Sequence, residues 1–341
     1  MALRKKLKNL KISVRNGVMN VVTPPVLWFL GNLSPRSARK LASFAAGVTS
    51  FFGMAPYKKA LANVAVAFPE MTTDKRHELV RKSLCNVALT GLEVIHLLKH
   101  PDDLLSMVYE PSAEILEQCK GRPGIMCLPH LGNWEIIGQA APLYGVDSCA
   151  VAEPLGNPHL NDVLLAARER NGLKIIPRVG AARKVLHALH EKCTVGLLVD
   201  QNVSPRDGGI FANFFGLPVT ISPLPAALAR KLDVMVIVAA SVRMEDGKFA
   251  FIGRKLPKKV SEYASDVELS QDILVLFEEL IREYPEQYTW LYHRWRYVPG
   301  NAPEALANAY PQYAKHRPYD APKEVIAAAV AALKQNTNKS D

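Results

Sequence analysis

Apolar residues recur at helical spacing through the first 105 positions, then give way to short apolar runs separated by amphipathic stretches. Two early segments, "SPRSARKLASFAAGVTSFFG" (34–53) and "TTDKRHELVRKSLCNVALTGLEVIHLL" (72–98), carry that spacing and open on a Ser or Thr able to cap a helix. From about 120 the pattern alternates. The runs "GIMCLP", "DSCAVA", "LKIIP", "TVGLLVD" and "VMVIVAASVRM" read as buried strands. Between them, "NWEIIGQAAPLYG", "PHLNDVLLAARERNG", "GAARKVLHALHEK" and "SPLPAALARKLD" read as helices, with a Gly-rich loop after Asp200. Strands alternating with helices of this length imply βαβ crossovers, so the spacing predicts an α/β fold with a mainly parallel central sheet flanked by helices. "KFAFIGRKL" is expected to add an antiparallel edge through the turn at Asp246-Gly247. A long helix near 264–283 and an amphipathic one near 322–334 follow. The expected division is a helical N-terminal membrane-associating region (1–105), an α/β domain (106–298) and a C-terminal extension with one helix and a polar tail (299–341).

Charge changes the picture at the N-terminus. The 341 residues carry 42 Lys+Arg against 32 Asp+Glu, a net charge of +10. Arg4, Lys5, Lys6, Lys8, Lys11 and Arg15 crowd the start, and no acidic residue precedes Glu70. Such a cluster attracts anionic surfaces. It directly precedes the apolar stretch 18–33, so an anionic membrane surface is the expected partner and nucleic acid is not. Pro24 and Pro25 interrupt that stretch, which is shorter than the roughly 20 apolar residues a spanning helix needs. It reads either as an interfacial segment dipping Trp28 and Phe29 into the headgroups or as a buried helix hairpin. The five cysteines show no CxxC spacing and several sit in apolar runs, which predicts free thiols, a reducing compartment and no zinc framework.

Candidate chemistry concentrates in "LPHLGNWEIIGQ" (128–139). A histidine directly after a buried strand needs a hydrogen-bond partner. Gly132 frees the backbone to turn, Asn133 is able to cap the next helix, and Glu135 in its first turn is close enough to fold back on the imidazole. A carboxylate accepting the Nδ1 proton would leave Nε2 free to deprotonate a hydroxyl. The alternative is a capping motif beside an incidental histidine. His187, His190 and Glu191 form a superficially metal-like cluster but read as a solvated helix face. In open sheets, ligands bind beyond the carboxyl ends of the strands, where both His130 and Asp200 are expected.

The His-(four residues)-Glu spacing after an apolar strand resembles the glycerolipid acyltransferase superfamily, and "HLGNWE" is similar to the form in bacterial lipid A biosynthesis acyltransferases, the late lauroyl/myristoyl transferases. The resemblance extends to "ALANVAVAFPEMTTDKRHELVRKSLCNVALTGLE" (60–93), "NPHLNDVLLAARERNGLKII" (157–176), "VGLLVDQN", "FFGLPVTISPLPAALARKLDVMVI" and "WLYHRWR" (290–296), the last with Arg296 where the family has Lys. It implies His130 as general base, Glu135 as its orienting partner, and Arg168 or Arg170 as phosphate ligands, of which Arg168 is favoured. Asp200 resembles an active-site acid, either positioning an arginine or contacting sugar. Phe214, Phe215, Gly216 and Thr220 are expected to shape the pocket wall. Arg294 would meet an acidic group of a substrate or pair on the surface. Backbone N–H groups near Gly132 are expected oxyanion donors.

The implied reaction is direct transfer of a fatty acyl chain from acyl carrier protein or acyl-CoA to a hydroxyl of a lipid A precursor. It needs no cofactor or metal and takes place at the cytoplasmic face of a bacterial inner membrane, with peripheral or weak attachment. Another glycolipid acceptor, such as a phosphoinositol mannoside, and a catalytically inactive lipid-binding scaffold are the alternatives.

Overall fold

The structure is a computed structural model and describes residues 22–337. The basic cluster before residue 22 therefore lies outside the described residues. The chain is helical over 22–31 (α1). Then follow α2 (Pro35–Phe51), α3 (Ala55–Ala67), α4 (Thr73–Lys99) and α5 (Ala113–Cys119). The expected caps form: Ser34 Oγ accepts from Ser37 N and Thr72 Oγ1 from Lys75 N. The helical segment 60–93 is two helices, α3 and α4, parted around Pro69, whose ring cannot continue the helical ladder.

The α/β unit runs β1 (Gly124–Leu128), α6 (Trp134–Ala140), β2 (Ser148–Ala152), α7 (Pro158–Glu169), β3 (Lys174–Pro177), α8 (Ala181–His190) and β4 (Thr194–Leu198). It continues with β5 (Ile210–Phe214), β6 (Leu217–Ile221), α9 (Leu224–Leu232), β7 (Met235–Arg243), β8 (Phe249–Lys255) and α10 (Asp266–Glu283). The strand order of the main sheet is β3-β2-β4-β1-β7-β8, parallel except for β8, which returns antiparallel on β7 as the turn at Asp246-Gly247 predicts. Beyond it come β9 (Tyr297–Val298), α11 (Glu304–Asn308), β10 (Lys315–His316) and α12 (Lys323–Thr337).

Both faces of the sheet are covered, and period-2 geometry sorts the side chains. Val236, Val238 and Ala240 of β7 join Ile125, Cys127, Val195 and Leu197 in a core closed by α8, α9 and α10. Ile237 and Ala239 point the other way, toward Ile137 of α6 and Cys119 of α5. All five cysteines are free thiols; Cys85 is half-buried and the other four are buried. β5 and β6 form a separate antiparallel hairpin where a loop was expected.

Candidate active site

Strand register builds the centre of the site. In the parallel β1–β4 pair Leu128 lies opposite Leu198, so two residues past each strand end His130 meets Asp200. Asp200 Oδ1 lies 2.6 Å from His130 Nδ1, and its Oδ2 accepts from the His130 backbone N–H at 2.9 Å. Both side chains are buried. Burial works to raise the Asp200 carboxyl, but the charge and hydrogen bonds of His130, with the Arg294 guanidinium, outweigh it and hold the group below the usual carboxylate range. The imidazole stands between two aromatic rings, Trp134 at 4.7 Å and Tyr292 at 4.9 Å between centroids. Its Nε2 faces the Gln201 side-chain amide at 3.3 Å.

Glu135 is not the partner of His130. Its two carboxylate oxygens accept from Arg168 Nε and Nη2 at 2.9 and 2.6 Å, a bidentate pair joining the first turn of α6 to the last turn of α7. The reason is geometric: helix formation turns the residue after Trp134 toward α7, while register brings Asp200 to the imidazole. Arg170 lies past the end of α7 and is exposed, so only Arg168 of the two joins the site.

Several other expectations need correction. Asn133 occupies the N-cap position of α6 without a side-chain cap; its Nδ2 donates to Glu93 at 2.9 Å, and Glu93 is in turn held by Arg243. The backbone N–H groups around Gly132 are engaged: Leu131 donates to Pro129 O, Gly132 to Gln287 O and Asn133 to Ser241 O. They are not free to hold an oxyanion. Gly132 serves instead where the backbone crowds, since at its φ of 64° a Cβ would sit 1.8 Å from Ser241 O. Phe215 lies at the tip of the β5–β6 hairpin, packed on Phe68 and Trp290. Thr220 is buried and reaches Asn202, two residues from Asp200. Arg294 is neither on the surface nor open to substrate. The His187–Glu191 cluster is solvated, as expected, and among the described residues no three His, Cys, Asp or Glu side chains converge as metal ligands would.

An apolar cavity of about 90 Å³ lies beside this centre, between the sheet and α6. Its floor is Met126, Leu128, Ala150, Gly196 and Leu198, its roof Ile137 and Ala141, and Trp134, Glu135 and Arg168 stand at its polar end. The Trp134 ring thus separates an aliphatic slot from the imidazole. A second apolar cavity of about 40 Å³ shares Met126, Ile137, Ala141 and Val146 with the first. Trp134, Gln201 and Tyr292, which surround the imidazole, were not among the expected site residues. The aromatic run "WLYHRWR" was the available signal for Tyr292, and Trp134 and Gln201 lie in the quoted stretches "HLGNWE" and "VGLLVDQN".

A buried histidine–carboxylate pair at the carboxyl ends of parallel strands, next to an apolar slot, is an arrangement able to take a proton from a hydroxyl beside an aliphatic chain. Residues 7–297 match the family described as bacterial lipid A biosynthesis acyltransferase, and the chain belongs to that family. It is similar to the phosphatidylinositol mannoside acyltransferase of Mycolicibacterium smegmatis, 25% identical over 181 residues that cover 51% of this chain and 57% of that protein. It is also similar to the phosphatidylinositol mannoside acyltransferase of Mycobacterium tuberculosis, 28% identical over 113 residues, 32% of this chain and 35% of that protein. The chain thus spans just over half the length of the first of these relatives and about a third of the second.

Proposed function

We propose that the protein transfers a fatty acyl chain from a thioester donor to a hydroxyl of a membrane glycolipid, a lipid A precursor being the first candidate, with His130 as general base. The observation that carries this reading is the pairing of His130 Nδ1 with Asp200, which fixes the imidazole with Nε2 directed away from the carboxylate. In the proposed step Nε2 takes the acceptor's proton as its oxygen bonds to the thioester carbonyl carbon. The carbon–sulfur bond then breaks, and the proton passes to the departing thiolate. Gln201, whose amide lies beside Nε2, is positioned to meet the tetrahedral oxyanion. The apolar slot under α6 suits the acyl chain, and Arg168, braced by Glu135, suits a phosphate at its polar end. An acidic carrier protein or acyl-CoA would serve as donor, and the basic balance of the chain favours either.

A phosphoinositol mannoside acceptor is the second reading, supported by what the two mycobacterial relatives are named for. An inactive lipid-binding scaffold is disfavoured, because a binder has no use for an oriented, buried imidazole. Work at the cytoplasmic face of an inner membrane is part of the same proposal. It draws support from the exposed aromatic side chains Trp28, Phe29, Phe44, Phe51 and Phe52, set among Arg36, Arg39 and Lys40. No helix among the described residues is long and apolar enough to cross a membrane.

The test is acyl transfer by purified protein from radiolabelled acyl carrier protein or acyl-CoA to a lipid A precursor or a phosphoinositol mannoside, beside His130→Ala. Label should reach one acceptor with the intact histidine only. Transfer by both proteins would remove His130 as base, and transfer to neither acceptor would defeat the substrate assignment.

A further inference from the structure

Arg294 is 2% exposed, yet its Nε, Nη1 and Nη2 all lack a hydrogen-bond partner among the described residues. Burying a guanidinium is costly unless another charge offsets it, and its group stays protonated regardless. Its Cζ lies 4.8 Å from the Phe214 ring centroid, an attractive but weak cation–π contact. No carboxylate among the described residues forms an ion pair with it. The adjoining residues place it by Asp200, since Asn202 donates to His293 O and the Tyr292 ring packs on His130, and the guanidinium favours the ionised form of that carboxyl.

The backbone around Arg294 is fastened beside the pair at several points. Thr289 N–H donates to His130 O at 2.9 Å, and Asn63 Nδ2 donates to the carbonyls of Trp290 and Tyr292. Asn202 Nδ2 donates to His293 O, and Trp295 Nε1 to Phe214 O. Among the described residues, Tyr288 and Tyr292 act on Asp200, and Tyr288 and Tyr313 on Arg294. Burial pushes all three phenols up, so they are uncharged at neutral pH. With the imidazole neutral, Arg294 is the cation among these described groups, and it acts on Asp200 alongside the two hydrogen bonds from His130.

We propose that Arg294 is a positioning residue for the His130–Asp200 pair: its unpaired charge keeps Asp200 a carboxylate and thereby keeps the His130 proton on Nδ1 and the reactive lone pair on Nε2. The sign follows from charge counting. With Arg294 present, neutral His130, anionic Asp200 and the guanidinium sum to zero. Without it the buried pair is a net anion and takes up a proton at higher pH, which removes the base.

The variant Arg294→Met should move the acidic limb of kcat/KM against pH upward by about one unit or more, a loss of about tenfold near neutrality that recovers toward high pH. Arg294→Lys should return most of it. The kinetic arm rests on the proposed acyl transfer. The second arm does not: titration of the His130 ring in the whole, histidine-labelled protein, followed by NMR, should show the same upward displacement in Arg294→Met without turnover. An unmoved limb, or an unmoved ring titration, overturns the proposal and leaves Arg294 a packing residue. Should Arg294→Met not fold, the double variant Asp200→Asn/Arg294→Met decides. Removing both charges should give a higher Tm than removing either one, whereas a double variant less stable than both singles would show that the two do not compensate each other.

Discussion

Glu135 and Asp200 are both carboxylates near His130, yet their partners assign them different work. Asp200 holds the imidazole, so Asp200→Asn should lower kcat by about 10³-fold or more with KM little changed, the pattern of a base left in the wrong tautomer. Glu135 holds Arg168, so the two should act as a unit. Glu135→Gln combined with Arg168→Met is expected to cost little more than the worse single variant, a coupling of about 1–3 kcal/mol in a double-mutant cycle of kcat/KM. Additive losses would mean that the bidentate pair has no functional consequence. A third carboxylate, Glu278 on α10, accepts from the Phe215 N–H at 2.7 Å, and burial pushes its pKa up to about 7. The folded state therefore binds this proton more tightly than the unfolded state does, so the group removes stability as pH rises from about 4.5 through 7. Glu278→Gln keeps the acceptor without the charge. It should match the wild type in acid and become more stable above neutrality, by on the order of 2 kcal/mol, each pKa unit being about 1.4 kcal/mol. Equal urea midpoints at both pH values would refute this.

The parallel strands and their crossover helices were legible in the sequence because each strand is a short, wholly apolar run and each helix has its own stripe. The β5–β6 hairpin was not. Its turn is Phe215-Gly216, where a hairpin signal would be Asn-Gly, and both residues have positive φ. Every residue of β6 is buried, so the expected alternation is missing, and Pro218 lies inside it. The His130–Asp200 pair was half legible. Both residues could be placed at strand ends, but that β1 neighbours β4 is a fact of sheet order, and spacing alone pointed to Glu135. Small residues on the cavity floor also carry meaning only in three dimensions. A Cβ on Gly196 would meet its neighbours at 3.6 Å or more, so a side chain there is tolerated and projects into the slot. Gly196→Val should therefore leave Tm nearly unchanged while lowering turnover of long-chain donors more than short-chain ones. A uniform loss across chain lengths would place the acyl chain elsewhere.

Across the whole molecule, aromatic residues that a soluble surface would normally cover are left in the open on α1 and α2, with Phe51 at 84% exposure. Replacing Phe44, Phe51 and Phe52 with Ser should weaken binding to anionic phospholipid vesicles by about tenfold or more, since each buried ring contributes apolar area to an interface. Unchanged sedimentation with vesicles would assign that face to another partner. The segment following α10 has a consequence of a different kind. Thr289 and Tyr292 complete the surroundings of His130, and Asn63, Ser83 and Asn86 hold the carbonyls of residues 287–292 from more than 200 positions away in the chain. On the ribosome, α3, α4 and the whole parallel sheet leave the exit tunnel before this segment does, so those early polar groups wait for partners until translation is nearly finished. The surroundings of His130 are thus completed last, and nascent chains arrested before residue 288 should carry the sheet but no acyl transfer.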